Sequence, residues 1–269
     1  MLKTIFQSFR SKRTANSRSG FVYVSDEDQG PMRDAREGSE ISTIGRGPPW
    51  IVVNHDMASV IPARWPGKLW RVDVVDAATA AEQGPSGGPP LASARYTRAV
   101  AVKIIGEEDI GQLFGLQGGT VLRVIDAASN LDKSQAESLA SNRDPKASAA
   151  CDRAWRAWMR TQGISDTEYP EPLGNALLLG TSGSPINRGL TVLHDVTFRR
   201  AKELQGDAAV IVDDEDVWLA EPWNTACAAL GDAALALGAP EFVDRDDSLI
   251  LKRGWAAVYG YRRVPTSHS

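Results

Sequence analysis

The chain has 269 residues, of which 42% are hydrophobic and 24% are charged, and its formal net charge is −4 at pH 7. That length is enough to bury a substantial core, in one large domain or two small ones. No apolar run approaches the ~20 residues that a membrane-spanning helix needs, so we expect a soluble cytoplasmic protein without a membrane span. Two widely separated cysteines, Cys151 and Cys227, favour reduced thiols over a disulfide framework.

The charge is unevenly distributed along the chain. Residues 1–20 carry five Lys or Arg and no acid, so the rest of the chain has a net charge of −9. We predict that 1–20 is a basic flexible tail; its basic, serine-rich composition is also typical of an organelle import signal, which stays an alternative. The acidic body argues against nucleic acid as the main partner, because phosphate neutralisation requires a basic face.

The sequence pattern of residues 21–128 predicts a strand-rich part. Short apolar or alternating runs predict strands over 21–24, 50–53, 69–75, 99–105 and 119–125. In the third of these, Trp70, Val72 and Val74 alternate with polar residues, which predicts one buried face. The Gly- and Pro-rich stretch 77–93 predicts a surface loop.

Residues 129–263 are predicted to be helix-rich, followed by a short tail over 264–269. Helical spacing or capping signals predict helices over 131–143, 145–162, 186–205 and 225–239. Residues 208–220 predict two strands around an acidic turn, and 248–263 predict a closing hairpin. Because strands and helices segregate instead of alternating regularly, the predicted fold class is α+β.

His55 follows a predicted strand and precedes a short predicted helix. Asn54 or Asp56 would cap that helix through a side-chain oxygen, which makes His55 a loop residue at a helix entrance. A catalytic role for His55 requires a nucleophile or an acid from elsewhere in the fold. Both interpretations stay open at this point.

His194 lies at the edge of the apolar stripe of the 186–205 helix, where we expect a half-buried side chain. The pair His194–Asp195 resembles the paired residues of HD-type metallohydrolases. That resemblance implies a metal site completed by His55 and by Asp232 or Asp244.

The string LLLGTSGSPIN, residues 177–187, resembles the serine loop of chymotrypsin-type proteases. The resemblance implies that Ser182 is a nucleophile and that Gly180 donates to an oxyanion. A Gly/Ser loop before a helix would also suit a phosphate, held by Gly180, Gly183 and Ser184. A tight turn followed by a helix cap explains the same residues without a ligand.

The strand–helix–strand order over 50–77 and 95–109 resembles small ADP-ribosyltransferases. The resemblance implies NAD as cofactor and Tyr23 or His55 on its nicotinamide ribose side. It also implies that Glu107 or Glu108 stabilises the ribosyl cation as nicotinamide leaves.

The leading hypothesis is a partner-binding or regulatory protein without a catalytic site of its own. No motif places two groups that would act together in catalysis, such as a nucleophile and a base, at the spacing of a known site. An acidic, tryptophan-rich chain suits binding to a protein partner. Four tryptophans adjoin Pro or Gly and would be core anchors or recognition residues: Trp50, Trp65, Trp223 and Trp255. The acidic run within 212–218 predicts a solvated hairpin tip in preference to a Ca²⁺ or Mg²⁺ site.

Overall fold

The computed structural model of the protein describes residues 19–79, 96–161, 163, 185–213 and 216–260. The chain divides into two compact units. The sheet unit comprises Met1–Val60 and Gly67–Glu108, and the helical unit comprises Ile61–Pro66 and Asp109–Ser269. The domain limits inferred from the sequence stay a prediction.

The sheet unit is an antiparallel sheet whose pairings close into a ring. Its strands are β1 Ser19–Ser25, β2 Glu40–Ser42, β3 Ile51–Asn54, β4 Gly67–Ala77 and β5 Tyr96–Glu108. Strand β5 pairs with β4 along one edge and with β2 and β3 along the other, and β1 pairs with both β4 and β3. The ring therefore runs β1, β4, β5, β3 and back to β1.

The ring closes at a point where two backbones approach closely. Phe21 of β1 pairs with Asn54 of β3, and a Cβ atom built on Gly20 would lie 2.4 Å from the carbonyl oxygen of Asn54. Only glycine fits such an approach, because any side chain would overlap the facing strand. Gly20 is thus the residue that permits β1 to reach β3.

The inward side chains of the ring form its hydrophobic core. Trp70, Val72 and Val74 point inward, as their alternation predicts, and pack with residues such as Val22 and Ile104. Period-two alternation places one face of each strand in the core and leaves the other for polar residues. Burial of this face drives the strands together.

The helical unit contains seven described α-helices and a two-stranded hairpin. The helices are α1 Gly118–Ser129, α2 Lys133–Asn142, α3 Ala147–Thr161, α4 Pro185–Gln205, α5 Trp223–Gly238, α6 Arg245–Leu251 and α7 Arg253–Tyr259. The hairpin strands are β6 Val210–Asp213 and β7 Asp216–Leu219. The confirmed fold class is therefore α+β.

Helix α5 is the central element of this unit. It is buried on nearly all sides, contacts the other six described helices, and contains six alanines. Small side chains let neighbouring helices approach closely, whereas a helix of large residues would keep them apart. Trp155 and Met159 of α3 and Leu251 of α6 fill the space beside its C-terminal half.

Local capping signals fix where several helices start and stop. Asp132 and Gln135 form a reciprocal capping box at the start of α2. Asp144 accepts a hydrogen bond from the backbone N–H of Lys146 at 2.9 Å, just before α3. Gly206, with φ of 60°, ends α4 as the sequence predicts, because glycine adopts positive φ without steric cost.

Two sequence predictions in this unit were wrong. Residues 119–125, predicted to be a strand, belong to α1, and 248–259, predicted to start a closing hairpin, form most of α6 and all of α7. The buried residues Asp247, Leu251 and Gly254 recur at helical spacing, and the Asp244 carboxylate accepts from the backbone N–H of Asp247. The N-cap and this spacing outweigh the strand propensity of Ile, Val, Trp and Tyr.

No helix among the described residues is long and apolar enough to cross a membrane.

Asp247 makes the stability of the helical unit depend on pH. Its carboxylate is buried, and Arg153 donates to it from Nε at 2.8 Å and also from Nη2. The hydrogen bond with Arg153 lowers the pKa of Asp247, and burial opposes that change only in part. A lowered pKa stabilises the fold above the unfolded-state value of about 3.9, and this stability is lost as pH falls through the folded pKa.

We therefore predict that Asp247→Asn destabilises the protein at pH 6 and that its deficit shrinks as pH falls below about 4. Urea unfolding of both proteins between pH 6 and pH 2.5 measures this deficit. Asp246→Asn, at the exposed neighbouring position, supplies the baseline. A deficit of constant size across this range would contradict the prediction.

Candidate interaction surface

The β6–β7 hairpin projects a short apolar ribbon from the helical unit. Val210 pairs with Leu219, Ile211 with Trp218, Val212 with Val217, and Asp213 with Asp216. At its base the backbone N–H of Ala220 donates to the carbonyl of Ala209 at 2.8 Å. Ala209 and Leu219 are buried, so only the base is anchored in the unit's core. The two strands predicted within 208–220 are confirmed here.

Four large apolar side chains of the hairpin are exposed. The exposed fractions are 56% for Ile211, 55% for Trp218, 68% for Val212 and 47% for Val217. Residues opposite each other in an antiparallel pair share a face, so Ile211 and Trp218 occupy one face and Val212 and Val217 the other. No described residue covers either face. Other strongly exposed apolar residues of this unit, such as Ile61, Leu116 and Leu249, lie singly on separate segments.

The outer edges of the hairpin are also available for pairing with another strand. Within the described part of the chain, β6 and β7 pair only with each other. Each strand of a two-stranded ribbon directs alternate N–H and C=O groups away from its partner. These groups would pair with an added strand.

The tip of the hairpin is strongly acidic. Asp213 and Asp216 face each other across it, and Asp214 and Glu215, which lie outside the described residues, complete four consecutive acids in the sequence. Among the described residues, no group of three or more His, Cys, Asp or Glu is placed to hold a metal ion. The hairpin thus combines an apolar ribbon with a concentrated negative charge at one end.

His55 holds strands of the sheet unit together through both ring nitrogens. Its Nδ1 lies 2.9 Å from the Ser19 carbonyl oxygen, and its Nε2 lies 2.6 Å from Oγ1 of Thr97. A carbonyl oxygen only accepts, so in the neutral imidazole Nδ1 carries the proton and Nε2 accepts from the Thr97 hydroxyl. The side chain of Asp56 caps the short helical turn Met57–Ser59. This is the arrangement expected of a residue at a helix entrance.

We predict that His55→Ala lowers the free energy of unfolding by about 1–2 kcal/mol, because it leaves a strand carbonyl and a hydroxyl without their partner. Thr97→Val removes one of the two hydrogen bonds and should cost about half as much. Urea unfolding measures both. Unchanged stability in His55→Ala, together with loss of a measured activity, would instead favour the catalytic interpretation.

The acids of the transferase interpretation both form ion pairs with β4. Glu107 accepts from Lys68 at 3.1 Å, and a carboxylate oxygen of Glu108 lies 3.1 Å from Nε of Arg71. Tyr23 lies on β1 beside Gly67, where a Cβ atom would come within 2.6 Å of the tyrosine oxygen. Each acid therefore faces a half-exposed cation of β4, whereas the transferase role requires it to face a ribosyl cation.

A polar cavity opens at one end of the sheet ring. Its volume is about 290 Å³, and its lining includes Asp26, Arg33, Asp34, Lys68 and Trp70. The Lys68 ammonium lies 5.6 Å from the centre of the Trp70 ring while it pairs with Glu107. Acids and cations alternate in the lining, so the cavity favours no single charge type.

His194 is exposed, which corrects the half-buried position expected from the helix pattern. Its ring stacks on that of Phe198, with centroids 6.3 Å apart, and Asp195 accepts from Arg199 at 2.8 Å. His194 lies in the helical unit and His55 in the sheet unit. Gly180, Ser182, Gly183 and Ser184, for which the sequence predicts a serine nucleophile or a phosphate loop, lie outside the described residues.

The four tryptophans singled out by sequence have different environments. Trp65 and Trp223 are core residues, and Trp223 donates from its indole to Gln205. Trp50 is half-buried with the Arg98 guanidinium 5.2 Å from its ring centre, and Trp255 packs on Tyr259. The sequence analysis did not single out Trp218, which lies on the apolar ribbon and is more exposed than these four tryptophans.

Comparison with known proteins gave no match: no family model, curated protein or solved structure is significantly similar to this chain.

Proposed function

We propose that the protein is a partner-binding protein and that the β6–β7 hairpin is its contact surface. The observation that carries the proposal is the exposure of four large apolar side chains on both faces of one ribbon. A two-stranded hairpin without a covered face is marginally stable in water, and a third strand or a packed face stabilises it. A bound partner would supply that cover.

Trp218 is the residue from which we expect the largest contribution to binding. Aromatic side chains bury roughly 150–250 Å² each, so a tryptophan that is 55% exposed leaves about 100 Å² for a partner to cover. At about 25 cal/mol per Å² that area corresponds to about 2–3 kcal/mol. Tryptophan is also enriched among the few residues that dominate measured interfaces.

We infer that the protein works in a reducing compartment such as the cytoplasm. Both cysteines are free thiols, and burial raises the pKa of Cys151 to about 12 and that of Cys227 to about 11. Thiols with raised pKa values stay neutral and react slowly. Such cysteines suit a protein that uses them only for packing.

The NAD-dependent transferase and the Ser182 hydrolase stay alternative proposals. The first would use Glu107 or Glu108, which are ion-paired with Lys68 and Arg71. The second depends on residues outside those that the structure describes. A thermal shift with NAD, or covalent labelling of Ser182 by a fluorophosphonate, would promote the corresponding alternative.

We predict that the double variant Ile211→Thr/Trp218→Thr weakens partner binding about 100-fold, which corresponds to about 2.7 kcal/mol. The wild-type protein is used to capture a partner from cells that produce it, the partner is identified and purified, and its affinity is titrated with both proteins. Because both side chains are more than half exposed, the variant should unfold within about 0.5 kcal/mol of the wild type.

Leu249→Gln is the matched control, because Leu249 is 52% exposed on α6 and lies outside the hairpin. It should retain wild-type affinity. Equal affinity of the wild type and the hairpin variant would refute the proposal, and so would equal losses in the hairpin and Leu249 variants.

A further inference from the structure

We propose that the hairpin takes its partner as an added β-strand, and that this strand carries apolar residues followed by Lys or Arg. The inference rests on the proposed function and names the chemistry of the partner. It follows from three observations: the outer edges of β6 and β7, which no described strand pairs with, the apolar character of both faces, and the acidic tip.

The hairpin edges set the length of the partner segment. β6 and β7 have four residues each, which at about 3.3 Å per residue gives an edge of roughly 13 Å. A segment of about four or five extended residues would pair with the backbone groups along such an edge. Strand addition of this kind gains affinity from main-chain hydrogen bonds and specificity from alternate side chains.

The two faces determine which side chains the added strand presents along most of its length. Successive residues of a strand point to opposite faces, and each hairpin face offers an apolar pair. One partner residue would pack beside Ile211 and Trp218, and the next would pack beside Val212 and Val217. Both positions favour apolar, β-branched or aromatic residues.

The tip determines the charge at the end of the added strand. Asp213 and Asp216 lie at the last register position of the hairpin, and the two residues between them in sequence are also acidic. A Lys or Arg at the matching end of the partner strand would face this charge, and an acid there would be repelled. Negative charge at the tip would also speed the encounter with a cationic segment.

The charge of the chain also makes a second copy a weaker partner for the hairpin than a cationic strand of another protein. Each copy has a formal net charge of −4 and carries the same acidic tip, so two hairpins that pair with each other bring like charges together. A cationic segment of a different protein gains from that same charge.

Three fluorescein-labelled nine-residue peptides test the partner class by fluorescence anisotropy with the full-length protein. One has five valines followed by four lysines, the second replaces each lysine with glutamate, and the third keeps the lysine sequence but carries N-methyl groups on alternate backbone amides. N-methylation removes donors for strand pairing while it preserves the charge and the side chains. We expect the unmethylated lysine peptide to bind at least about tenfold more tightly than either of the others.

Protein variants complete the test. Asp213→Asn/Asp216→Asn should weaken binding of the lysine peptide about tenfold at low salt, whereas Asp246→Asn, an exposed acid on α6, should leave it unchanged. Ile211→Thr/Trp218→Thr should abolish the binding.

Equal binding of the N-methylated peptide would overturn strand addition, and equal binding of the glutamate peptide would overturn the cationic requirement. Sedimentation would test for self-association. If the wild type is a dimer and Ile211→Thr/Trp218→Thr is a monomer, the occupant of the hairpin is a second copy of this chain and the cationic partner is wrong. If no peptide binds while a captured partner still depends on Trp218, the partner class is wrong and the proposed function stands.

Discussion

Replacing Asp232 with alanine should destabilise the helical unit by about 3–5 kcal/mol, because it leaves a largely buried guanidinium without its counter-charge. Asp232 lies on the central helix α5 and is 5% exposed. Arg143 donates to it from Nε at 2.7 Å and from Nη2 at 3.4 Å. Burial raises the pKa of the Asp232 carboxyl, and the ion pair with Arg143 opposes that change. Urea unfolding at pH 7 measures the loss.

The control for this prediction is an ion pair at the surface. Asp207 pairs with Lys202 at 2.9 Å, but its side chain is 98% exposed, so Asp207→Ala should leave the unfolding midpoint unchanged. The double variant Arg143→Met/Asp232→Leu should recover most of the stability lost in Asp232→Ala, since no buried charge is left without a partner. An Asp232→Ala protein as stable as Asp207→Ala would contradict the structural role of the pair.

Gly118→Ala should destabilise the protein by about 2–3 kcal/mol through overlap of backbones. A Cβ atom built on Gly118 would lie 1.8 Å from the carbonyl oxygen of Gly111, in the helical turn Ile110–Phe114 that precedes α1. The clash involves backbone, which has no alternative rotamer, so the turn or α1 must move. Differential scanning calorimetry and urea unfolding would both record the loss.

The neighbouring residue provides a matched comparison. Gly119 is exposed on the same helix, and a Cβ atom there meets nothing within 4 Å. Gly119→Ala should therefore stabilise the protein by about 0.5–1 kcal/mol, because alanine has the higher helix propensity. If both alanine variants shifted stability in the same direction, the close approach of α1 to the preceding turn would be wrong.

Elements with a local signal could be predicted from the sequence. The strand around Trp70 has a clear period of two, α2 has a capping box, and α4 ends at Gly206. In each case, neighbouring residues alone determine the backbone conformation. Predictions failed at 119–125 and 248–259, where β-branched and aromatic residues indicated strands. There the helical spacing of buried residues decided the structure, and burial depends on distant contacts.

The candidate surface could be located in the sequence but not recognised. The acidic turn and its two strands were predicted within 208–220, yet Ile211, Val212, Val217 and Trp218 alone would suggest buried strands. Only the packing of the helical unit determines that both faces stay uncovered. His55 illustrates the converse, because this conspicuous histidine contacts Ser19 and Thr97 of two strands, and the neighbouring Asp56 only caps a short helical turn.

The most direct test of the account is photo-crosslinking from the hairpin in cells that produce the protein. A photoreactive phenylalanine analogue is placed at Trp218 in one variant and at Leu249, similarly exposed, in another. The account predicts a discrete crosslinked protein from position 218 and none from position 249. Absence of any crosslink at position 218, or the same products from both positions, would contradict the claim that the hairpin is a partner-binding surface.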